Sequence, residues 1–347
     1  MQLIFEFFRS KKFAFKGETV IPTLRYAFYR FSLNAYRIYG DVMRVIILGG
    51  AGFLGKALSN QLAADRSYDV TVFDRAIPPE NAQVPGVTYV EGSFQKDYDF
   101  ASLIHGADLV IHLVSTSVPG NERSALDEIY GNVIPSVELF EACVKEEVGR
   151  VVFMSSGGTV YGASSRENSE DNLPAPINTY GLQKVMIEQA LRLTTRGTKT
   201  EYQVIRLSNP YGPGQNPHGT LGLITKLVYQ ALNHKTIHIY GDGSVVRDFI
   251  YIDDAIQGIM DVIERGEADS TYNIGRGVGA SVADVVDTIA RTLPEKLDVV
   301  HVPGRNVDVP YSVLDITKYK GIASIHDFVS LDEGIIRTYQ YFKEHRQ

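Results

Sequence analysis

Too little sulfur is present for covalent bracing: a single cysteine, Cys143, excludes an internal disulfide. Its setting in Leu139-Phe140-Glu141-Ala142-Cys143 reads as the buried face of a helix, and such a thiol fits a reducing, cytoplasmic compartment. No run of eighteen or more uncharged apolar residues occurs, which excludes a membrane-spanning helix. Positive charge is short as well. Lys and Arg number 34 against 41 Asp and Glu, a formal net charge of −7, so nucleic-acid binding finds no support. At 347 residues the chain can still bury a full core and carry a nucleotide-binding domain with a smaller second one.

Residues 1–42 reverse the charge deficit. Arg9, Lys11, Lys12, Lys16, Arg25, Arg30 and Arg37 face only Glu6, Glu18 and Asp41, among many Phe and Tyr. The segment lacks the apolar core and small-residue cleavage site of a secretory signal. Two readings stand: an arm, disordered or laid on an anionic membrane surface, or a stretch upstream of the true start, since Met43-Arg44-Val45-Ile46-Ile47-Leu48-Gly49 is how a chain of this type begins.

What the chain does have is a β-branched run, Val45 to Leu48, that stops in Gly49-Gly50-Ala51-Gly52-Phe53-Leu54-Gly55 and turns helical from Lys56. This is the pattern of a first parallel strand, a tight turn and a helix N-terminus on which a phosphate can sit. Two fingerprints overlap, Gly50-x-Gly52-x-x-Gly55 and the looser Gly49-x-x-Gly52-x-x-Gly55. The second apolar run, Val70 to Phe73, ends at Asp74, a carboxylate able to accept ribose hydroxyls and to repel a 2′-phosphate; Arg75 beside it could instead clasp one. Further runs at Val87–Val90, Leu109–Val114 and Val151–Met154 alternate with helical stretches such as Ala125 to Val148. The alternation predicts an α/β fold with a doubly wound parallel sheet. His112, inside a buried strand pattern, reads as a core histidine.

The Val151 run delivers Ser155-Ser156-Gly157-Gly158-Thr159-Val160-Tyr161-Gly162 to the ligand-binding edge, where hydroxyls suit a substrate oxygen. Downstream, Tyr180 and Lys184 stand four residues apart on one helix face, so the ammonium is expected to favour the ionised phenol. Alone, Tyr-x-x-x-Lys is common; after the glycine turn, the acidic strand end and the Ser/Gly strand it is not.

From Met43 to the C-terminus, these motifs resemble an extended short-chain dehydrogenase/reductase of the NAD-dependent nucleotide-sugar epimerase/dehydratase family. The resemblance implies NAD in a Rossmann domain, residues 43–208 with about 236–277, and a substrate domain, about 209–235 with 278–347. It places NAD along Gly49, Gly52, Phe53, Leu54, Gly55, Asp74, Arg75, Ser93, Phe94, Leu113, Asn132, Ser155, Tyr180 and Lys184. Tyr180, Lys184, Thr159 and Ser156 become the catalytic candidates. Ser117, Asn209, Arg247, Arg305, Asp308 and Ser312 become candidates for a nucleoside-diphosphate sugar, Arg247 and Asn209 on the diphosphate, Arg305 and Asp308 on phosphate and ribose. A homodimer and surface-polysaccharide precursor synthesis are implied; no metal is expected. Two departures stand out. Gly157 occupies the place of the serine that usually holds the sugar O4, so Thr159 or Ser156 must supply that hydroxyl, and Ser93 replaces an aspartate that contacts adenine. Gly157-Gly158-Thr159 also lacks the carboxylates of the dehydratases and decarboxylases. The expected activity is therefore 4-epimerisation of a UDP-hexose or UDP-N-acetylhexosamine, with Ser312 leaving room for an N-acetyl group. Alternatives are a 4-ketosugar reductase and a non-catalytic NAD-sensing scaffold.

Overall fold

The computed structural model describes residues 42–119, 123–304 and 309–345. The extension over residues 1–41, and Arg305 and Asp308, lie outside the described residues. Thirteen strands follow in chain order: β1 Met43–Leu48, β2 Tyr68–Asp74, β3 Thr88–Glu91, β4 Leu109–His112, β5 Arg150–Ser156, β6 Glu201–Leu207, β7 Asn209–Tyr211, β8 Ile237–Tyr240, β9 Val246–Tyr251, β10 Ser270–Ile274, β11 Gly279–Ser281, β12 Val299–Val302 and β13 Tyr311–Ser312. Seven longer helices accompany them: α1 Phe53–Ala63, α2 Ile134–Lys145, α3 Thr179–Thr195, α4 Leu223–Leu232, α5 Ile252–Arg265, α6 Val282–Thr292 and α7 Leu331–Glu344.

Seven strands form one sheet in the order β10-β6-β5-β4-β1-β2-β3, every neighbouring pair parallel. The central strands read as near-continuous apolar runs because both faces are covered. In β1, Val45 and Ile47 point to the side of Leu58 and Leu62 from α1, whereas Ile46 and Leu48 join Phe140 and Cys143 from α2. Side-chain alternation along one strand thus feeds two separate cores. Strand order reverses between β1 and β4, so a crevice opens outside their carboxyl ends. The expected α/β fold and doubly wound parallel sheet are what the structure adopts.

Beyond β6 the chain builds a second, mixed sheet around β9, with β7 and β13 parallel to it and β11 antiparallel. A parallel pair, β8 with β12, stands apart. β10 pairs with β6 at the edge of the large sheet. α6 begins with a capping box, Ser281 with Asp284, and α7 begins at Ser330, whose side chain accepts the Glu333 amide. Both ends fall where serine precedes an acidic first turn.

The stretch from Ala125 is not one regular helix. A short α turn, Ala125–Glu128, widens into a π turn over Ile129–Val133 before α2 begins. Pro135 has no N–H to offer the carbonyl four residues back, and the widened turn accommodates that loss. Among the described residues no helix is long and apolar enough to cross a membrane.

Candidate active site

The glycine turn resolves the two overlapping fingerprints. Gly49 takes φ +84°, a conformation that disfavours any side chain, and a Cβ there would press on the backbone of Leu113 and Val114 at 3.1–3.3 Å. Gly55 packs so closely that a Cβ would lie 2.4 Å from the Gly50 Cα. At Gly52 a Cβ would meet only the Gly49 carbonyl, at 3.4 Å, so the space before the turn is open. Gly52 is also the N-cap of α1, with no side chain accepting its first amides. Those amides and that clearance fit a pyrophosphate. Asp74, ending β2, accepts the Ala51 amide at 3.1 Å and fixes the turn; Arg75 is exposed beside it. Phe53, Leu54, Leu113 and Phe94 are half-buried around this crevice and Ser93 is exposed. These groups fit a dinucleotide.

β5 and α3 bring in the chemistry. Asn178 caps α3, its side chain accepting the Gly181 amide at 2.7 Å, and Gly181 lies against the Thr159 carbonyl, where a Cβ would come within 2.5 Å. The contact sets the head of α3 on the Ser155–Tyr161 segment. Tyr180 is buried, and the Ser115 side chain near it favours the ionised phenol. Lys184 is buried one turn later, its Nζ donating to the Met154 carbonyl at 2.9 Å and lying 5.8 Å from the Tyr180 ring centre. Thr159 Oγ1 is buried with no hydrogen-bond partner among the described residues. Ser156, half-buried, ends β5.

Two carboxylates flank the Tyr180–Lys184 pair. Glu188 is fully buried and forms a forked ion pair with buried Arg206, at 3.0 Å from Nε and 2.7 Å from Nη2. Ser155 Oγ donates to the same carboxylate at 2.5 Å, and Arg206 Nη1 reaches the Tyr161 hydroxyl at 2.9 Å. Glu128 is equally buried but among the described residues accepts only neutral donors: the Ser117 hydroxyl at 2.7 Å, the Asn132 amide at 2.9 Å and the Arg123 backbone N–H at 3.2 Å. Asn132 in turn accepts the Thr116 amide at 2.8 Å, and Gln183 donates to Ser117 Oγ at 2.8 Å. Glu128 was not among the sequence candidates. Beside Asp127 in a helical stretch it has the look of a solvated face, yet it is buried at the end of the short α turn.

Several expectations need correction. The phenol of Tyr180 is not lowered by the chain's own groups: burial raises it, the Glu128 charge raises it further, and only the Ser115 side chain opposes. Lys184 itself is pushed down to about 8 by burial, against the pull of Glu188 and Glu128. The side chains of Ser117, Asn132 and Ser155, the candidates for ligand contacts, bond to Glu128 or Glu188. The missing serine at Gly157 has a steric reason, because a Cβ there would come within 2.6 Å of Leu314 Cδ1 and 3.2 Å of the Arg206 carbonyl. His112 behaves as expected: buried, bonded to Ser136 at 2.8 Å, packed on Phe94 and Phe153, and held well below its ordinary pKa by burial and Lys184.

The mixed sheet gathers Asn209, Arg247 and Ser312 at its centre. Ser312 is buried and pairs in register with Arg247, whose Nη1 donates to the carbonyls of Val246 and Val309 at 2.9 and 2.6 Å. Asn209 Nδ2 donates to the Asp248 carbonyl at 2.8 Å. The Asp248 carboxylate accepts the Arg276 and Gly277 amides, while burial raises it to about 6.

Sheet order, an open glycine turn and a Tyr-x-x-x-Lys helix on one edge define a dinucleotide-binding protein of the Rossmann class. Residues 45–275 match the NAD dependent epimerase/dehydratase family, and the chain belongs to it. It is an enzyme of that family with NAD as its cofactor. It is 32% identical over 308 residues to dTDP-4-dehydro-6-deoxyglucose reductase of Escherichia coli, across 84% of this chain and 95% of that protein. It is 28% identical over 310 residues to a putative UDP-glucose 4-epimerase of Methanocaldococcus jannaschii, across 87% and 99%. A solved UDP-glucose 4-epimerase with UDP-glucose, from Thermotoga maritima, superposes with a TM-score of 0.82 at 30% identity, covering 88% of this chain and all of that one.

Proposed function

We propose that the protein is a nucleotide-sugar 4-epimerase acting on a UDP-hexose or UDP-N-acetylhexosamine. The observation that carries this reading is the Tyr180 hydroxyl, the Lys184 ammonium and the unpartnered Thr159 hydroxyl on one sheet edge, with no carboxylate in the Ser156–Thr159 segment. Bound NAD supplies the hydride acceptor for C4 and a positive charge beside the phenol. Tyr180 takes the O4 proton as C4 is oxidised and returns it after the 4-keto sugar has presented its other face. Thr159 donates to O4 in place of the serine that Gly157 excludes, and Lys184, steadied by Met154, orients the nicotinamide ribose. No net oxidant is consumed. Asn209, Arg247 and Arg305 hold the diphosphate, Asp308 accepts the ribose hydroxyls, and Ser312 leaves space at the sugar's 2-position.

A second reading, reduction of a nucleotide 4-ketosugar, is favoured by the similarity to the E. coli reductase. We also propose a homodimer through α3 and the helix before residue 150, where Leu126, Tyr130, Leu182 and Leu193 are exposed. The domain division at residues 43–208 with 236–277, and the cytoplasm as its place of action, belong to the same proposal. The test is incubation with UDP-Glc, UDP-Gal, UDP-GlcNAc and UDP-GalNAc without reductant, beside Tyr180→Phe. Interconversion of a C4 pair, abolished in the variant, is expected. Turnover only of a ketosugar with consumption of reduced cofactor would replace epimerisation by reduction.

A further inference from the structure

The mechanism above uses Tyr180, Lys184 and Thr159 and leaves unexplained a buried carboxylate beside them. Glu128 is 1% exposed, faces no cation within salt-bridge distance among the described residues, and gathers three donors from three places in the chain. Leaving a charge buried without a counter-ion is costly, so its retention asks for a reason. Its bonds point to one. Ser117 and Asn132, both held by Glu128, fix the turn after β4, and that turn carries Ser115, whose side chain lies by the Tyr180 hydroxyl. Ser115 Oγ donates to the Ser117 carbonyl at 2.8 Å, so the turn is braced internally as well. Gln183, between Tyr180 and Lys184 on α3, reaches the same Ser117 hydroxyl.

We propose that Glu128 is a positioning residue for the reaction of Tyr180: through Ser117 and Asn132 its carboxylate sets the Ser115 hydroxyl against the phenol, and it supplies the buried negative charge beside the Tyr180–Lys184 pair. This rests on the reading of Tyr180 as the base. The charge raises the phenol's pKa and helps keep Lys184 protonated. Glu128 therefore moves the working range of the pair toward higher pH. The other groups facing the pair are few. His112, on β4, is held neutral; Glu188, on α3, is matched by Arg206 from β6, with Arg192 3.8 Å away; β5 contributes the Phe153 ring and the Met154 carbonyl.

The experiment follows the Tyr180 ring carbon by NMR in NAD-bound protein labelled at tyrosine Cζ, assigned with Tyr180→Phe, alongside the pH dependence of kcat. In Glu128→Gln the Tyr180 midpoint is expected to fall by about half a pH unit or more. Glu128→Asp keeps the charge and shortens the reach: its midpoint stays, kcat falls about tenfold and KM holds. Ser117→Ala, which keeps the Glu128 charge but loosens Ser115, is expected to lower kcat and to raise the midpoint, opposite to Glu128→Gln, and it carries the test if Glu128→Gln does not fold. An unmoved midpoint in Glu128→Gln, or unchanged kcat in Ser117→Ala, overturns the proposal. Should the wild type turn over none of the UDP-sugars, the 4-epimerase reading falls, while a shifted Tyr180 midpoint still upholds the place of Glu128.

Discussion

Glu188 and Glu128 are two glutamates of equal burial on either side of Lys184, and their surroundings differ in kind. Glu188 has its charge cancelled by the Arg206 fork and its lone pairs taken by Ser155, which ties α3 to β5 and β6. Among the described residues Glu128 is satisfied by hydroxyl and amide donors alone, at the end of the short α turn that precedes the π turn, and its bonds hold the site's own loop. The match does not silence Glu188 at Lys184, where its pull exceeds that of Glu128, but of the two only Glu128 is felt by the Tyr180 phenol. The clamp of the frame and the charge that acts on the phenol thus sit on different carboxylates.

The sharpest way to break this contrast is to unmatch the matched pair. Arg206→Met, which strands the Glu188 charge, should cost about 3–5 kcal/mol in denaturant unfolding. Glu128→Gln, which trades one acceptor for a donor against Ser117 and Asn132, should cost about 1–3 kcal/mol. Equal losses would erase the distinction.

Lys184 provides a second handle. Its folded pKa of about 8 lies below the ordinary lysine value, so between about pH 8 and 10.4 the unfolded chain binds more protons and stability rises with pH. This contribution is lost as pH falls through 8. The rise should amount to about 3 kcal/mol and vanish in Lys184→Met, as read from unfolding curves of the NAD-free protein at several pH values. A rise of the same size in the variant would assign it to other groups.

Gly157→Ser should cost about 1–3 kcal/mol, since its Cβ meets Leu314 and the Arg206 carbonyl. The cost should shrink in a Leu314→Ala background, a coupling that a double-mutant cycle measures. Additive losses would place the strain elsewhere. Smallest of all, Ser155→Ala should remove about 1 kcal/mol with its bond to Glu188 and leave the pH dependence of kcat unmoved.

Much of this was legible in the sequence because it is written locally. The glycine turn, the apolar strands, the acidic end of β2 and the Tyr180–Lys184 spacing each lie within a dozen residues, and the strand-helix alternation dictates the sheet. What was not legible depends on contacts across the chain. Arg206 carries no local mark in the sequence, yet it meets Glu188 on α3 and Tyr161 on the Ser/Gly loop. Gly157 reads as a missing hydroxyl, and only Leu314, far along the chain, explains why no side chain fits. Glu128 reads as one more charge in an acidic helical turn, and its burial depends on Ser117, Arg123 and Asn132 closing around it. The overlap of two glycine fingerprints could be settled only by the backbone angle of Gly49.

The central claim is that Tyr180 and its neighbours oxidise and re-reduce the same C4 within one binding event. Conversion of UDP-[4-²H]hexose by the NAD-bound protein tests it directly. Epimerised product that retains deuterium at C4, formed without added cofactor and absent with Tyr180→Phe, is the predicted result. Product that has exchanged its C4 label with solvent, or undiminished turnover in Tyr180→Phe, would contradict it.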